Sequence, residues 1–258
     1  LSSILCNFFY TELEREVLGF LRTDEALLLR LIDDFLLITP NVSLATRFLR
    51  VMLKGHPAYG VSVNPAKSLV NFTVSVDGIQ VPRLTGSLFP YCGNTIDTRT
   101  LEVYKDQERV LEGGDSAAAT ISNSLTVELA RAPGRSFHRK VLTSLTLQMH
   151  PMYLDTQHNS VTAVLLNLYT SFVTTAMKMY QYVKSLPGRA HPSPQLVIRT
   201  IKDLIQSAYN LCQAKRGESS ISNTETGGSA PFACSVQLPQ VQYLAAAAFR
   251  FVLNRKQT

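Results

Sequence analysis

Asp33 and Asp34 stand side by side in an apolar run from Leu27 to Ile38 that is otherwise interrupted only by Arg30. Two adjacent carboxylates in such a setting are costly to bury unless a cation offsets their desolvation. The run is too long for one ordinary strand, but it fits two short strands joined by a turn at the acidic pair. A hairpin with buried flanks and two carboxylates at its tip suits a divalent cation. Carboxylate oxygens are the ligands Mg²⁺ prefers, usually one or two from the protein with substrate phosphates beside them. Phosphoryl-transfer enzymes use such ions in pairs about 3.5–4 Å apart, so the pattern predicts a polymerase-type nucleotidyl transferase. The same pair also reads as an ordinary turn, because Asp is favoured there. The apolar flanks are what set it apart.

The elements that must carry this tip follow from periodicity. Ile4, Leu5, Phe8, Leu13, Val17, Leu18 and Leu21 recur at near-helical spacing and predict a helix from about Ser3 to Arg22. After the hairpin, Pro40 ends the second strand. Asn41 or Ser43 can cap a helix whose apolar face is Leu44, Phe48, Leu49, Met52 and Leu53, and Gly55 stops it. Strands are expected over Val61–Asn64 and Leu69–Val76, with Asp77-Gly78 as a hairpin turn. Leu88–Ile96 and Thr100–Tyr104 are expected as a further strand pair. Residues 105–124 read as a polar connection, and long helical patterns follow. One runs from His138 to His150. A second is capped by Asn159-Ser160, extends to about Lys184 and is apolar almost all round, which suits the centre of a bundle. The others span Ser193–Arg216 and about Pro239–Asn254, separated by a Ser/Thr/Gly-rich stretch over 217–237. The fold class expected is therefore α+β, an acidic-tipped β-hairpin with helices and a small antiparallel sheet, followed by a mostly α-helical bundle. The character changes near residue 105.

The chain has 258 residues, 45% of them hydrophobic, and a formal net charge of +6. A basic balance fits a polyanionic partner, although the cations are scattered in small groups such as Arg131/Arg135/Arg139/Lys140. Cys6, Cys92, Cys212 and Cys234 form no CxxC and have no His at zinc-ligand spacing. They read as reduced, mostly buried thiols of an intracellular protein. No apolar run reaches the roughly 18 residues of a membrane span, and Leu1–Tyr10 lacks the basic leader of a signal peptide.

The acidic hairpin, the helix after it and the segment Tyr59-Gly60-Val61-Ser62-Val63-Asn64-Pro65-Ala66-Lys67-Ser68-Leu69-Val70-Asn71-Phe72 together resemble the palm of telomerase reverse transcriptase. Leu88-Phe89-Pro90-Tyr91-Cys92-Gly93-Asn94-Thr95-Ile96-Asp97 resembles that family's primer grip, running through Thr98–Val103 into its thumb. Tyr153-Leu154-Asp155-Thr156-Gln157-His158-Asn159-Ser160 resembles a thumb segment. Leu31 before Ile32-Asp33-Asp34 also points to telomerase, because retroelement polymerases usually carry an aromatic residue there. Tyr91 stands where vertebrate relatives usually have Trp. The resemblance implies a fragment that begins just after the nucleotide-pocket Gln-Gly motif of the palm and stops before the end of the thumb, with residues 1–96 as palm and 97–258 as thumb.

It further implies an RNA-directed DNA polymerase that extends chromosome ends in the nucleus, at the telomere, by copying an internal RNA template. Its cofactor would be Mg²⁺ in a two-ion site held by Asp33 and Asp34, with the third carboxylate outside this fragment. The fragment alone is expected to be inactive. Asp33 is the expected main ligand and Asp34 a weaker or outer one, since side chains alternate along a strand. Lys67 would approach the incoming deoxynucleoside triphosphate; otherwise it is a solvated loop lysine. Tyr91, Cys92, Gly93, Asn94 and Thr95 would form the primer grip. Arg135, Arg139 and Lys140 at a helix entry are expected on the phosphates of an RNA–DNA duplex. Tyr153, Gln157 and Asn159 would line its groove, unless their segment is a plain interhelical connection. His138, His150 and His158 read as surface or packing histidines. The partners implied are telomerase RNA, a single-stranded telomeric DNA primer, the RNA–DNA duplex and deoxynucleoside triphosphates, with no membrane. The alternatives are a retroelement reverse transcriptase, or a non-catalytic module that grips duplex and needs no Asp33.

Overall fold

A computed structural model describes residues 2–106, 132–218 and 232–255. The expected connection over 105–124 and the Ser/Thr/Gly-rich stretch over 217–237 lie largely outside the described residues. The chain divides into two compact units, Leu1–Arg99 and Thr100–Thr258. The first holds small antiparallel sheets with two helices, and the second is mostly helical.

In the first unit, helix α1 (Ser2–Val17) gives way to a 3₁₀ turn at Gly19–Leu21, so the expected helix to Arg22 breaks one turn early. Strands β1 (Leu27–Leu31) and β2 (Asp34–Ile38) pair antiparallel, Leu31 opposite Asp34. Helix α2 (Val42–Leu53) is capped by the Asn41 side chain, which accepts from the amides of Ser43 and Leu44 at 3.0 and 3.3 Å. Gly55 (φ +73°) ends it in the left-handed conformation that glycine adopts freely. Two faces of α2 are used. Phe48 and Met52 pack with Leu18, Leu21, Leu28, Phe35 and Leu37, while Leu49 joins Val70, Val74, Val76 and Val81.

The strands expected over Val61–Asn64 and Leu69–Val76 are largely absent. Val61 makes only an isolated bridge with His56, and Val70 one with Arg83. Pro65–Lys67 is a 3₁₀ turn capped by Asn64, and only β3 (Ser75–Val76) and β4 (Ile79–Gln80) pair. Val70, Val74 and Val76 alternate toward the core as strand residues do. Pro65 and Pro82, which cannot donate to a ladder, lie next to the segments that would have extended it. Asp77 (φ +50°) and Gly78 (φ +80°) form the turn between β3 and β4, with the two positive φ angles of a type I′ hairpin. Leu88–Ile96 is likewise not one strand. It folds back at Cys92-Gly93 into β5 (Leu88–Tyr91) and β6 (Asn94–Asp97), Tyr91 opposite Asn94.

The second unit opens with strand β7 (Val103–Lys105). Its helices are α3 (Pro133–Thr146), α4 (Pro151–Leu154), α5 (Val161–Ser185), α6 (Pro194–Glu218) and α7 (Leu238–Arg255). Helix α3 starts one turn before the expected His138, with Pro133 at its first turn, and ends at Thr146. Ser160 caps α5 by accepting from Ala163 N at 3.2 Å. Helix α5 is the centre, packed by α3, α4, α7 and β7. Leu168, Phe172 and Val173 are fully buried in a core shared with Phe137, Leu145, Leu204 and Ala245. Asn167, Thr170, Ser171 and Thr175 are buried on the same helix. No helix among the described residues is long and apolar enough to cross a membrane.

Candidate active site

The acidic hairpin is sharper than its sequence implied. The turn is made by Ile32 and Asp33, and Asp34 is the first residue of β2. Ile32 has φ +58°, an outlier for a β-branched residue. The flanks are not buried on both sides: Leu27, Leu29 and Leu31 are 53%, 39% and 54% exposed, and Asp33 and Asp34 are exposed too. The carboxylates therefore need no buried cation to offset desolvation. Arg30 supports the turn instead. Its Nη1 donates to the Ile32 carbonyl at 2.9 Å and to Asn7 Oδ1 at 3.1 Å, and its Nε to Glu14. The guanidinium lies 5.1 Å from the centre of the Tyr10 ring, an arrangement an arginine plane favours. Sequence reasoning passed over Arg30, although a lone cation within an apolar run was a visible signal.

The second hairpin meets the first. Cys92 (φ +49°) and Gly93 (φ +78°) make a tight turn with two positive φ angles. At that tip the Tyr91 hydroxyl donates to the Asp34 carbonyl at 3.0 Å, and Cys92 Sγ lies 3.5 Å from Asp34 Oδ2. Burial, with smaller contributions from Cys92 and Asp34, pushes the Tyr91 phenol up to about 12. Burial and the bond to Asp34 likewise push the Cys92 thiol up. Both groups stay protonated donors at neutral pH, so Cys92 is no nucleophile here. Asn94 and Thr95 follow on β6, half-buried.

Lys67 ends the Pro65–Lys67 turn and is exposed. In the helical unit, Arg135 and Arg139 are exposed one helical turn apart on α3, with Lys140 half-buried beside them. Gln157 is exposed in the segment after α4. Tyr153 is half-buried, its ring under the Lys105 amine. Asn159 is only 5% exposed. Its side chain accepts from Val103 N at 2.9 Å and donates to the carbonyls of Met152 and Asp155. His138 pairs with Asp203 at 2.9 Å, and His150 accepts from Met152 N.

As a cation site, the donor set is hard but incomplete. Asp33 and Asp34 supply the oxygens Mg²⁺ prefers, and among the described residues no group of three or more His, Cys, Asp or Glu side chains converges. Two exposed carboxylates at a hairpin tip fit part of a shared coordination shell.

Residues 135–258 match the family model "Telomerase reverse transcriptase, C-terminal extension". The chain is 36% identical to the telomerase reverse transcriptase of Bos taurus over 239 residues, which is 90% of this chain and 20% of that protein. It is 34% identical to that of Takifugu rubripes over 262 residues, 98% of this chain and 23% of the relative. With the Arabidopsis thaliana protein of the same name it shares 27% identity over 289 residues, 99% of this chain and 24% of the relative.

Proposed function

The chain belongs to the telomerase reverse transcriptase family, and we propose that it supplies that enzyme's C-terminal palm and thumb: one side of the metal site, the primer grip and a duplex-facing helical unit. It spans about a fifth of the length of the Bos taurus relative, and polymerisation is proposed for the full-length protein. The reading is carried by the meeting of the two hairpin tips, the exposed Ile32–Asp33 turn with Asp34 beside it and the Tyr91-Cys92-Gly93 turn. A polymerase must hold its cations and the primer end within reach of each other, and two rigid turns joined by side-chain bonds do that.

In this reading Asp33, at the apex of the turn, and Asp34, at the head of β2, offer their carboxylates to Mg²⁺, together with a carboxylate from outside this chain. When bound, the ions lower the pKa of a primer hydroxyl and neutralise triphosphate charge. Arg30 keeps the acidic turn in place through the Ile32 carbonyl. Tyr91 fixes the primer-grip turn to Asp34, and the backbone at Gly93 lets a sugar-phosphate approach closely. Lys67 would meet the triphosphate. Arg135 and Arg139 would contact duplex phosphates, a contribution that weakens with salt. RNA template, DNA primer, deoxynucleoside triphosphates and action at telomeres in the nucleus all follow from the family and are proposals for the parent protein.

The test is primer extension by the full-length parent with its RNA. Asp33→Ala should abolish synthesis, because the ions would lose a ligand, while primer binding is largely kept. Asp34→Ala should retain more activity than Asp33→Ala. Undiminished synthesis by Asp33→Ala would make the acidic turn structural and leave a duplex-binding module.

A further inference from the structure

Lys105, on β7, is half-buried against α5 and the stretch after α3. Its Nζ donates to the Gln148 carbonyl and to Ser171 Oγ, both at 2.7 Å, and lies 4.8 Å from the centre of the Tyr153 ring. Ser171 Oγ donates in turn to the Asn167 carbonyl, so it meets the amine with a lone pair. Two N–H groups fill both acceptors, and a neutral amine already has two. Among the described residues, the third N–H of an ammonium meets only the face of Tyr153.

The strand is held by side chains along its length. Val103 N donates to Asn159 Oδ1 and Lys105 N to Asn167 Oδ1, both at 2.9 Å, while Asn167 Nδ2 returns a bond to the Val103 carbonyl at 2.8 Å. Glu102 accepts from Ser160 N, at the start of α5, and from the Tyr104 hydroxyl.

Among the described residues, the charged groups around Lys105 are committed elsewhere or carry the wrong sign. Helix α5 has no acidic residue between Val161 and Ser185, and its cations are Lys178 and Lys184. The stretch after α3 offers neutral Gln148. Around α4 stand the Tyr153 phenol, His150, which caps the helix, and Asp155, whose Oδ1 accepts from the Gln157 and Ala233 amides and whose Oδ2 lies 3.9 Å from His158. On the strand itself Glu102, Tyr104 and Asp106 alternate with Lys105. Burial accordingly pulls the amine from 10.5 down to about 7.

We propose that Lys105 is a positioning residue for primer handling: as a neutral amine it locks the strand that follows the primer-grip hairpin onto the central thumb helix, and uptake of a proton loosens the lock. The link to the primer rests on the polymerase reading above; the lock does not. Once the strand opens, the amine regains the basicity of a solvated lysine, so the open form binds the proton more tightly. The lock is therefore weakest at pH 7 and below and tightens as pH rises toward 10.5.

Hydrogen exchange on the full-length protein with its RNA, from pH 6 to 9 and corrected for intrinsic rates, reads the lock at the Val103 and Lys105 amides. Wild type should show flat protection below about pH 7, then a rise approaching tenfold per pH unit for one linked proton. Lys105→Met should remove the rise. Ser171→Ala, a small change that keeps the fold if the methionine variant does not, withdraws an acceptor the cation needs more than the neutral amine. It should move the bend to lower pH, which loss of packing alone would not do. In extension assays over the same range, KM for primer should fall with rising pH in wild type and stay level in Lys105→Met. Flat wild-type protection across pH 7 to 9, an unchanged rise in Lys105→Met or an unmoved bend in Ser171→Ala would overturn the lock. A level wild-type KM would overturn its role toward primer. Wild type that extends no primer at any pH would overturn the polymerase reading, with the exchange bend still deciding the lock.

Discussion

Tyr91 joins two turns with one atom. Its hydroxyl donates to the Asp34 carbonyl, and a backbone acceptor asks only that the phenol keep its proton. The phenol's pKa is raised, so the stability it contributes is fully present below pH 10, declines above that and is lost as pH rises through about 12. Spectrophotometric titration should show one tyrosine ionising near 12, and Tyr91→Phe should delete that late step. The same substitution should cost about 0.5–1.5 kcal/mol in denaturant unfolding, the net worth of one hydrogen bond at a half-buried site. An unchanged titration curve in Tyr91→Phe would remove the bond from the account. Neighbouring Cys92 shows why tip residues are informative: a non-glycine at φ +49° holds a strained conformation and keeps its thiol against Asp34.

Among the elements, β7 is tied to α5 by side-chain to backbone bonds. A three-residue strand has little intrinsic stability. This one is also held by asparagine side chains, Asn159 and Asn167 accepting from the Val103 and Lys105 amides. Asn167 is fully buried. Asn167→Ala should strand the Lys105 amide and the Val103 carbonyl and cost about 1–3 kcal/mol for each. Asn210→Ala, on the exposed face of α6, should stay within about 0.5 kcal/mol of wild type. Comparison of urea midpoints decides it, and equal midpoints would mean that water replaces the asparagine without loss.

For the whole molecule, each unit has its own core. That of the helical unit is built around α5, where Phe172 is fully buried among residues of α3, α6 and α7. Phe172→Ala should cost about 3–5 kcal/mol, the transfer free energy of the ring plus the cavity it leaves. Calorimetry should show the transition of the helical unit moving down by many degrees. A shift of a degree or two would mean that the site collapses around the smaller side chain.

Much of this molecule was determined by its sequence alone. The apolar stripe of α2 with Asn41 before it and Gly55 after it, the capped apolar run of α5, and the Asp77-Gly78 turn all stand where local chemistry put them. Caps, periodicity and positive-φ turns act between residues a few positions apart, so the order of residues suffices to reveal them. The acidic pair, and its resemblance to a polymerase family across several motifs, were legible for the same reason. Only tertiary structure decided the rest. It set the acidic turn one residue early, at Ile32-Asp33, and left its flanks exposed. It brought Tyr91 and Cys92 onto Asp34, turned Arg30 toward the Ile32 carbonyl, and placed Lys105 and two asparagines at the junction of β7 with α5. Apart from the Arg30–Ile32 bond, those contacts join residues at least 43 positions apart along the chain, far beyond any helical or strand period. A lysine at the edge of a polar connection looks like surface until packing removes its water, and that is a property of the folded neighbours rather than of the residue.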